Sequence, residues 1–371
     1  MNPILEQIPP SLIRALNAQK RPGDIDLGLG EPTLKPDTAP FEAALDWVRE
    51  NGCPYSPNAG QPALREAIAA HYRYLELSHA ENVCVTVGSQ EALYLAIKAL
   101  LNPATDEVLI VEPGYPAYAK ICQMEGVRVR TVTLSPERGF APDAEAVLEA
   151  VGPATRLVLI ASPANPSGRV WPESELRKLA EGLSRFPTPV QVLIDEVYRE
   201  LVYDAPYVSM ATLYPHTIVV NSLSKSNALT GLRLGWLMAP AAQMGAIVKV
   251  HQFVNTAAST FSQRVALAVF ERPDSLSAQR PFYAAQRERL MNRLADIPYV
   301  RPDGAFYCLI RLPEPNSLTF ARRLLEEAHV VAIPGVAFGA EGFVRVSFAA
   351  QPEALEEGLT RLVTFMQACR C

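Results

Sequence analysis

From residue 83 onward, short apolar runs rich in β-branched residues alternate with helical stretches, and that alternation constrains the fold more than any other feature. The spacing predicts strands over 83–87, 107–111, 128–134, 156–161, 191–194, 217–221 and 234–238. Helices are expected at 61–77, where Leu64, Ile68, His71, Tyr72 and Leu75 recur at helical spacing, and at 89–101, 115–124, 142–151 and 172–184. Runs such as RLVLIA and QVLI are apolar almost without interruption, so both faces of these strands need cover. The expected fold class is α/β, a mostly parallel seven-stranded sheet sandwiched by helices. After about residue 240 the pattern changes to helices at 240–255, 259–270 and 276–296. A smaller α+β unit follows, with strand 305–311, helix 317–328, short strands 330–333 and 343–348, and helix 352–368. The expected division is a large domain over 37–275, with 1–36 joining 276–371 in a small one.

Composition narrows the function. The 371 residues, 49% hydrophobic and 20% charged, describe a globular chain that can bury a core without disulfides or metal. Asp and Glu outnumber Lys and Arg, 39 to 34, and no basic stripe exists, which argues against a nucleic-acid partner. No apolar run is long enough to cross a membrane, and the N-terminus lacks the basic start and apolar block of a leader. The six cysteines show no CxxC spacing and no metal-ligand cluster with the five histidines. A cytoplasmic chain with reduced thiols and no metal site is the expectation.

In open α/β sheets ligands bind beyond the carboxyl ends of the strands. After 83–87 comes Gly88-Ser89-Gln90, opening a helix: a phosphate site at a helix N-terminus, or an ordinary cap. After 156–161 comes SPANPSG, with Asn165. Strand 191–194 runs into Asp195-Glu196-Val197-Tyr198; an acid there is partly desolvated and wants a cation, or else serves as a helix cap. After 217–221 comes Ser222-Leu223-Ser224-Lys225, in a segment with no neighbouring acid. Lys is scarce, seven residues against 27 Arg, so Lys225 is either a surface lysine in a loop or an amine available to an aldehyde. Arg233 lies eight residues further on and can face the same anion as Ser89. Together these features describe a site for pyridoxal phosphate, which needs an amine, an acid for its pyridine nitrogen, donors for its phenolic oxygen and an anion cup.

The motifs SLSKSNALTGLRLG around Lys225, SPANPSG around Asn165 and IDEVYREL around Asp195, with LGLGEP and VRVSF near the two ends, resemble the class I/II pyridoxal phosphate aminotransferases of fold type I. The resemblance implies transfer of an amino group between an α-amino acid and a 2-oxo acid. It implies Lys225 as the amine that holds the cofactor and later moves the proton, and Asp195 as partner of the ring nitrogen. Asn165 and Tyr198 would donate to the phenolic oxygen, and Tyr115 would stack on the ring. Ser89, Ser222 and Arg233, with the turn Gly88 to Gln90, would hold the phosphate. Tyr55 resembles the tyrosine that reaches the phosphate of a neighbouring subunit, which implies a homodimer with shared sites. Arg345 resembles the arginine that grips the substrate α-carboxylate, and Gly30 a glycine on the segment closing over the substrate. Asn227 and Leu232 depart from the family pattern, at positions where aromatic residues are common. A C–S β-lyase on the same cofactor is the nearest alternative. A ligand-sensing domain is disfavoured by the acidic balance, and a dinucleotide oxidoreductase by the missing GxGxxG after the first strand.

Overall fold

The computed structural model describes residues 3–272 and 274–369. Its strands, in chain order, are β1 (Ile25–Asp26), β2 (Val83–Thr86), β3 (Glu107–Glu112), β4 (Arg128–Thr133), β5 (Thr155–Ala161), β6 (Gln191–Asp195), β7 (Thr217–Ser222), β8 (Gly235–Met238), β9 (Tyr307–Arg311), β10 (Val330–Val331), β11 (Ile333–Pro334) and β12 (Phe343–Ser347). The sheet that carries the cavity has the order β2-β8-β7-β6-β5-β3-β4. Its pairings are parallel except at β8, which runs antiparallel to both β2 and β7.

Alternating side chains of these strands feed two apolar layers, as a pleated strand requires. Val83, Val85, Leu109, Val158, Ile160, Val192 and Ile194 pack with Leu64 and Ile68 of helix Pro62–His71 and with Leu176, Leu179 and Leu183 of helix Glu173–Leu183. Cys84, Val108, Ile110, Leu157, Leu159 and Leu193 face the other way, onto Leu93 and Ile97 of helix Gly88–Leu100, Ile121 of helix Ala117–Met124, and Met244 and Ile247 of helix Ala241–Val254. A separate apolar cluster joins Leu27, Tyr283, Leu290, Phe306, Phe320, Leu324, Val344 and Leu359 around the antiparallel sheet β11-β12-β9. β1 pairs in parallel with β10, which brings residues 25–30 of the N-terminal segment against the C-terminal unit.

The sequence-expected strands of the large sheet are all present, and the differences lie at element ends and in segments the pattern does not mark. The helix at 61–77 stops at His71, where Tyr72 leaves helical geometry. The helix at 115–124 starts at Ala117, because Pro116 takes the N-cap position. The stretch 276–296 contracts to Arg280–Arg293, and 330–333 divides at Ala332 into β10 and β11. Helix Ala39–Asn51 was not anticipated, although Phe41, Ala44, Leu45 and Val48 recur in it at helical spacing; it buries only Pro40 and Ala44 fully, and Leu45 is exposed.

Candidate active site

The ends of β2, β5, β6 and β7 converge on one cavity of about 1000 Å³, roofed by Pro9–Arg14 and Leu29–Glu31. Ser89, Gln90, Tyr115, Asn165, Asp195, Tyr198, Lys225, Arg233, Arg345 and Gly30 all line it. Residues far apart in the chain are therefore neighbours, as sequence reading expected of strand ends.

Asp195 closes β6 and is buried. Its Oδ2 accepts from the Tyr118 hydroxyl (2.7 Å) and its Oδ1 from the Val197 N–H (3.2 Å). Burial pushes its carboxyl up to about 6, against the pull of these two donors. Among the described residues no cation lies within ion-pair distance of it, while the Lys225 charge, further off, acts to hold its proton affinity down. Lys225 sits in the short helix Leu223–Ser226, which Ser222 caps through its hydroxyl. The Lys225 ammonium donates to the Gly30 carbonyl (2.7 Å), tying the N-terminal segment across the cavity.

Arg345 on β12, which also lines the cavity, is almost wholly buried. It donates to Asn165 Oδ1 (2.8 Å) and to the Gly28 carbonyl, and its guanidinium lies over the rings of Tyr307 (4.3 Å) and Phe338 (4.6 Å). Among the described residues its Nε has no hydrogen-bond partner, although it is buried. Burial lowers its proton affinity, which a bound carboxylate would reverse. Tyr198 shares a hydrogen bond with Tyr307 (2.9 Å), and burial pushes its hydroxyl well above the ordinary range. Gly30 is demanded by sterics: a Cβ there would fall 1.7 Å from the Tyr307 hydroxyl.

The third corner is an anion cup. Helix Gly88–Leu100 has Val87 at its N-cap, with no side-chain cap, so its first-turn amides are offered to a ligand. Gly88 takes φ +75°, and a Cβ on it would lie 2.5 Å from Arg233 Nη2, so the guanidinium rests against the turn. Arg233 itself holds a left-handed backbone (φ 49°), a conformation usually left to glycine and one that costs of order 1–3 kcal/mol. Gly235, at the start of β8, stands level with Thr86 of β2 and Ser222 of β7.

Three expected residues do not line the cavity, Gly88 lying instead against the Arg233 guanidinium. Tyr55 is 93% exposed and does not line this cavity. Ser222 is buried under its helix cap, and Ser224, which sequence reading passed over, lines the cavity instead. Tyr118, Tyr307 and Phe338 were also missed. Their signal was weak, since each reads as an ordinary aromatic packing residue until topology brings it to Asp195 or Arg345.

The profile of the family described as aminotransferase class I and II matches residues 22–362. The chain belongs to that family. Its transaminase relatives include a probable aspartate/prephenate aminotransferase of Thermus aquaticus, 36% identical and covering 95% of this chain and 94% of that protein. A probable N-acetyl-LL-diaminopimelate aminotransferase of Bacillus subtilis is also 36% identical, covering 92% and 89%. Among solved structures, the aspartate aminotransferase of Thermus thermophilus with maleate superposes with a TM-score of 0.93 at 33% identity, covering 98% of this chain and 99% of that one. This aminotransferase moves an amino group between an amino acid and an oxo acid, and its cofactor is pyridoxal phosphate. The cavity fits that cofactor on its own evidence: an amine, a buried acid that holds its proton up to about 6, and a helix turn opened by a glycine that packs against a guanidinium.

Proposed function

We propose that Lys225, Asp195 and Arg345 divide the transfer of an amino group from an α-amino acid to a 2-oxo acid. The observation that carries this reading is one cavity in which an amine, a buried acid and a buried guanidinium with an unpaired Nε face the same space. When bound, pyridoxal phosphate supplies the aldehyde that takes the amino group and a ring that accepts electrons. Asp195 keeps positive charge at the ring nitrogen, and Asn165 and Tyr198 donate to the phenolic oxygen. Tyr115 covers a ring face. Ser89, Arg233 and the amides from Gly88 to Gln90 hold the phosphate, with Ser222 fixing the Lys225 turn. Arg345 grips the α-carboxylate, which orients the Cα–H bond, and Lys225 takes that proton and returns it. Gly30 and its neighbours keep water out.

Arg14 and Lys120, neither in an ion pair among the described residues, also line the cavity, where the acids are Glu31 and Asp195. That balance favours donors with an acidic side chain.

The same reading makes the chain a homodimer. Tyr55 serves the partner's phosphate rather than its own, which suits its exposure. Asn58 donates to the Thr256 carbonyl (2.7 Å), placing the Tyr55 segment beside Phe253, an apolar side chain 83% exposed. Residues 37–275 act as the cofactor-binding domain and 1–36 with 276–371 as the closing domain, supported by the separate apolar cluster of the latter. The free thiols among the described residues suit the reducing cytoplasm.

A donor panel of aspartate, glutamate, arginine, N-acetyl-LL-diaminopimelate and cystathionine, followed by cofactor absorbance in half-reactions, tests the reading. An acidic donor should convert fastest, and Lys225→Ala should abolish turnover. Pyruvate and ammonia from cystathionine in place of transfer, or undiminished transfer by Lys225→Ala, would defeat it.

A further inference from the structure

Behind the phosphate cup lies a charge pair, one member buried and the other partly so, that the proposed chemistry does not use. Glu91, in the first turn of helix Gly88–Leu100, accepts through Oε2 from the N–H of Val87, the residue before Gly88. The same oxygen lies 3.4 Å from Nε2 of His251, which is fully buried in helix Ala241–Val254. The other ring nitrogen, Nδ1, lies 2.8 Å from the Asn58 carbonyl, an acceptor only, with the Cys84 sulfur at 3.6 Å.

This geometry sets the proton count. Nδ1 must carry a hydrogen to satisfy Asn58, while Nε2 makes no hydrogen bond among the described residues and lies within ion-pair distance of the Glu91 carboxylate. A neutral ring would leave that anion uncompensated; an imidazolium sets a positive charge beside it. Burial alone would favour the neutral ring, but the contacts with Cys84 and Glu91 outweigh it and hold the proton up to about 10. Glu91 is held below the usual carboxylate range by His251 and the Val87 N–H, again against burial.

The location gives the pair its meaning. A carboxylate in the first turn opposes any anion bound at that helix N-terminus. We propose that His251 is a positioning residue for the cofactor phosphate: its imidazolium cancels the Glu91 charge behind the Gly88–Ser89 turn and, through Asn58, ties that turn to the segment bearing Tyr55. The proposal rests on reading that turn as the phosphate cup, and it assigns the cup a chemical dependence on a residue that never touches the cofactor.

The test compares apoprotein binding of pyridoxal phosphate with that of pyridoxal, which has the aldehyde and ring but no phosphate. His251→Gln leaves Glu91 uncompensated and should raise the dissociation constant for pyridoxal phosphate about tenfold, with pyridoxal unchanged. Adding Glu91→Gln removes the opposing charge and should restore the affinity to within about threefold of wild type. A side chain that merely packs would weaken both ligands alike and would gain nothing from the second substitution; either result overturns the proposal. If His251→Gln is too unstable to assay, the double variant, which buries no uncompensated charge, is read directly against wild type: near-wild-type affinity supports the proposal, and an equal loss for both ligands overturns it. Arg233→Met is the control for the cup. If it fails to weaken pyridoxal phosphate more than pyridoxal, the cup reading falls and takes the proposal with it. If it succeeds while His251→Gln leaves the discrimination intact, the proposal alone falls.

Discussion

Asp195 and Glu196 are adjacent, both buried and both acidic, yet they live in opposite electrostatic regions. Glu196 points behind the sheet into a closed cluster. It accepts from the Ser209 hydroxyl and pairs with Arg199 at 3.1 Å, while the Arg199 guanidinium lies over Tyr72 (4.6 Å) and Tyr207 (5.1 Å). Asp195 lines the cavity and, among the described residues, meets only the neutral donors Tyr118 and Val197 at hydrogen-bond range. Arg345 across the cavity is in the same position with the sign reversed, held by carbonyl oxygens and aromatic rings rather than by an acid. A buried charge that has its counter-charge within the chain holds the fold; one held by dipoles alone is available to a charged ligand.

Three substitutions probe this contrast. The largest effect belongs to Asp195→Ala, which should cut kcat/KM by about 10³-fold or more in steady-state assays while leaving thermal stability unchanged or raised, since it removes a costly buried acid. Loss of stability with activity retained would reverse the contrast. Next, Glu196→Gln should destabilise by about 1–2 kcal/mol in urea melts, because the buried Arg199 then loses one of its two acids and keeps only Glu200, at 3.3 Å, while the folded fraction keeps its kcat. A kcat loss matching that of Asp195→Ala would show that the two regions are not separate. The smallest effect is that of Tyr118→Phe, which removes one donor from Asp195 and should lower kcat/KM about tenfold.

The same variants carry a pH signature. The Asp195 carboxyl is raised to about 6 from an ordinary value of 3.8, so it is protonated in the folded apoprotein below about pH 6. Pairing with a cationic ring nitrogen then requires releasing that proton, and affinity for pyridoxal phosphate falls as pH drops through 6, by up to about tenfold per pH unit. Because the cofactor phosphate titrates nearby, the informative quantity is the difference between wild type and Asp195→Asn, which should lack this component. Tyr118→Phe should move it upward. Equal pH profiles for wild type and Asp195→Asn would mean that another group pairs with the ring.

Much of this was legible in the chain. Uninterrupted apolar strands announce a sheet covered on both faces, and the rule that ligands sit beyond strand ends directs attention to Ser89, Asn165, Asp195 and Lys225. What escaped reading depends on contacts that no local pattern records. Tyr118 and Asp195 are 77 positions apart, and His251 and Cys84 are 167 apart. Tyr307 and Phe338 look like core aromatics, and become walls around a cation only once β9 pairs with β12 and the turn Gly335–Phe338 before β12 folds back. Ser222 and Ser224 differ by two positions, and only the capping geometry of a four-residue helix decides which faces the cavity.

β8 runs against its neighbours, and so it meets the ligand-facing rim with its first residue where the others arrive with their last. Pointed the usual way, its four residues would carry Arg233 roughly 13 Å down to the far rim, out of reach of Gly88. One inverted strand thus recruits a loop that enters the sheet into a wall otherwise assembled from loops that leave it.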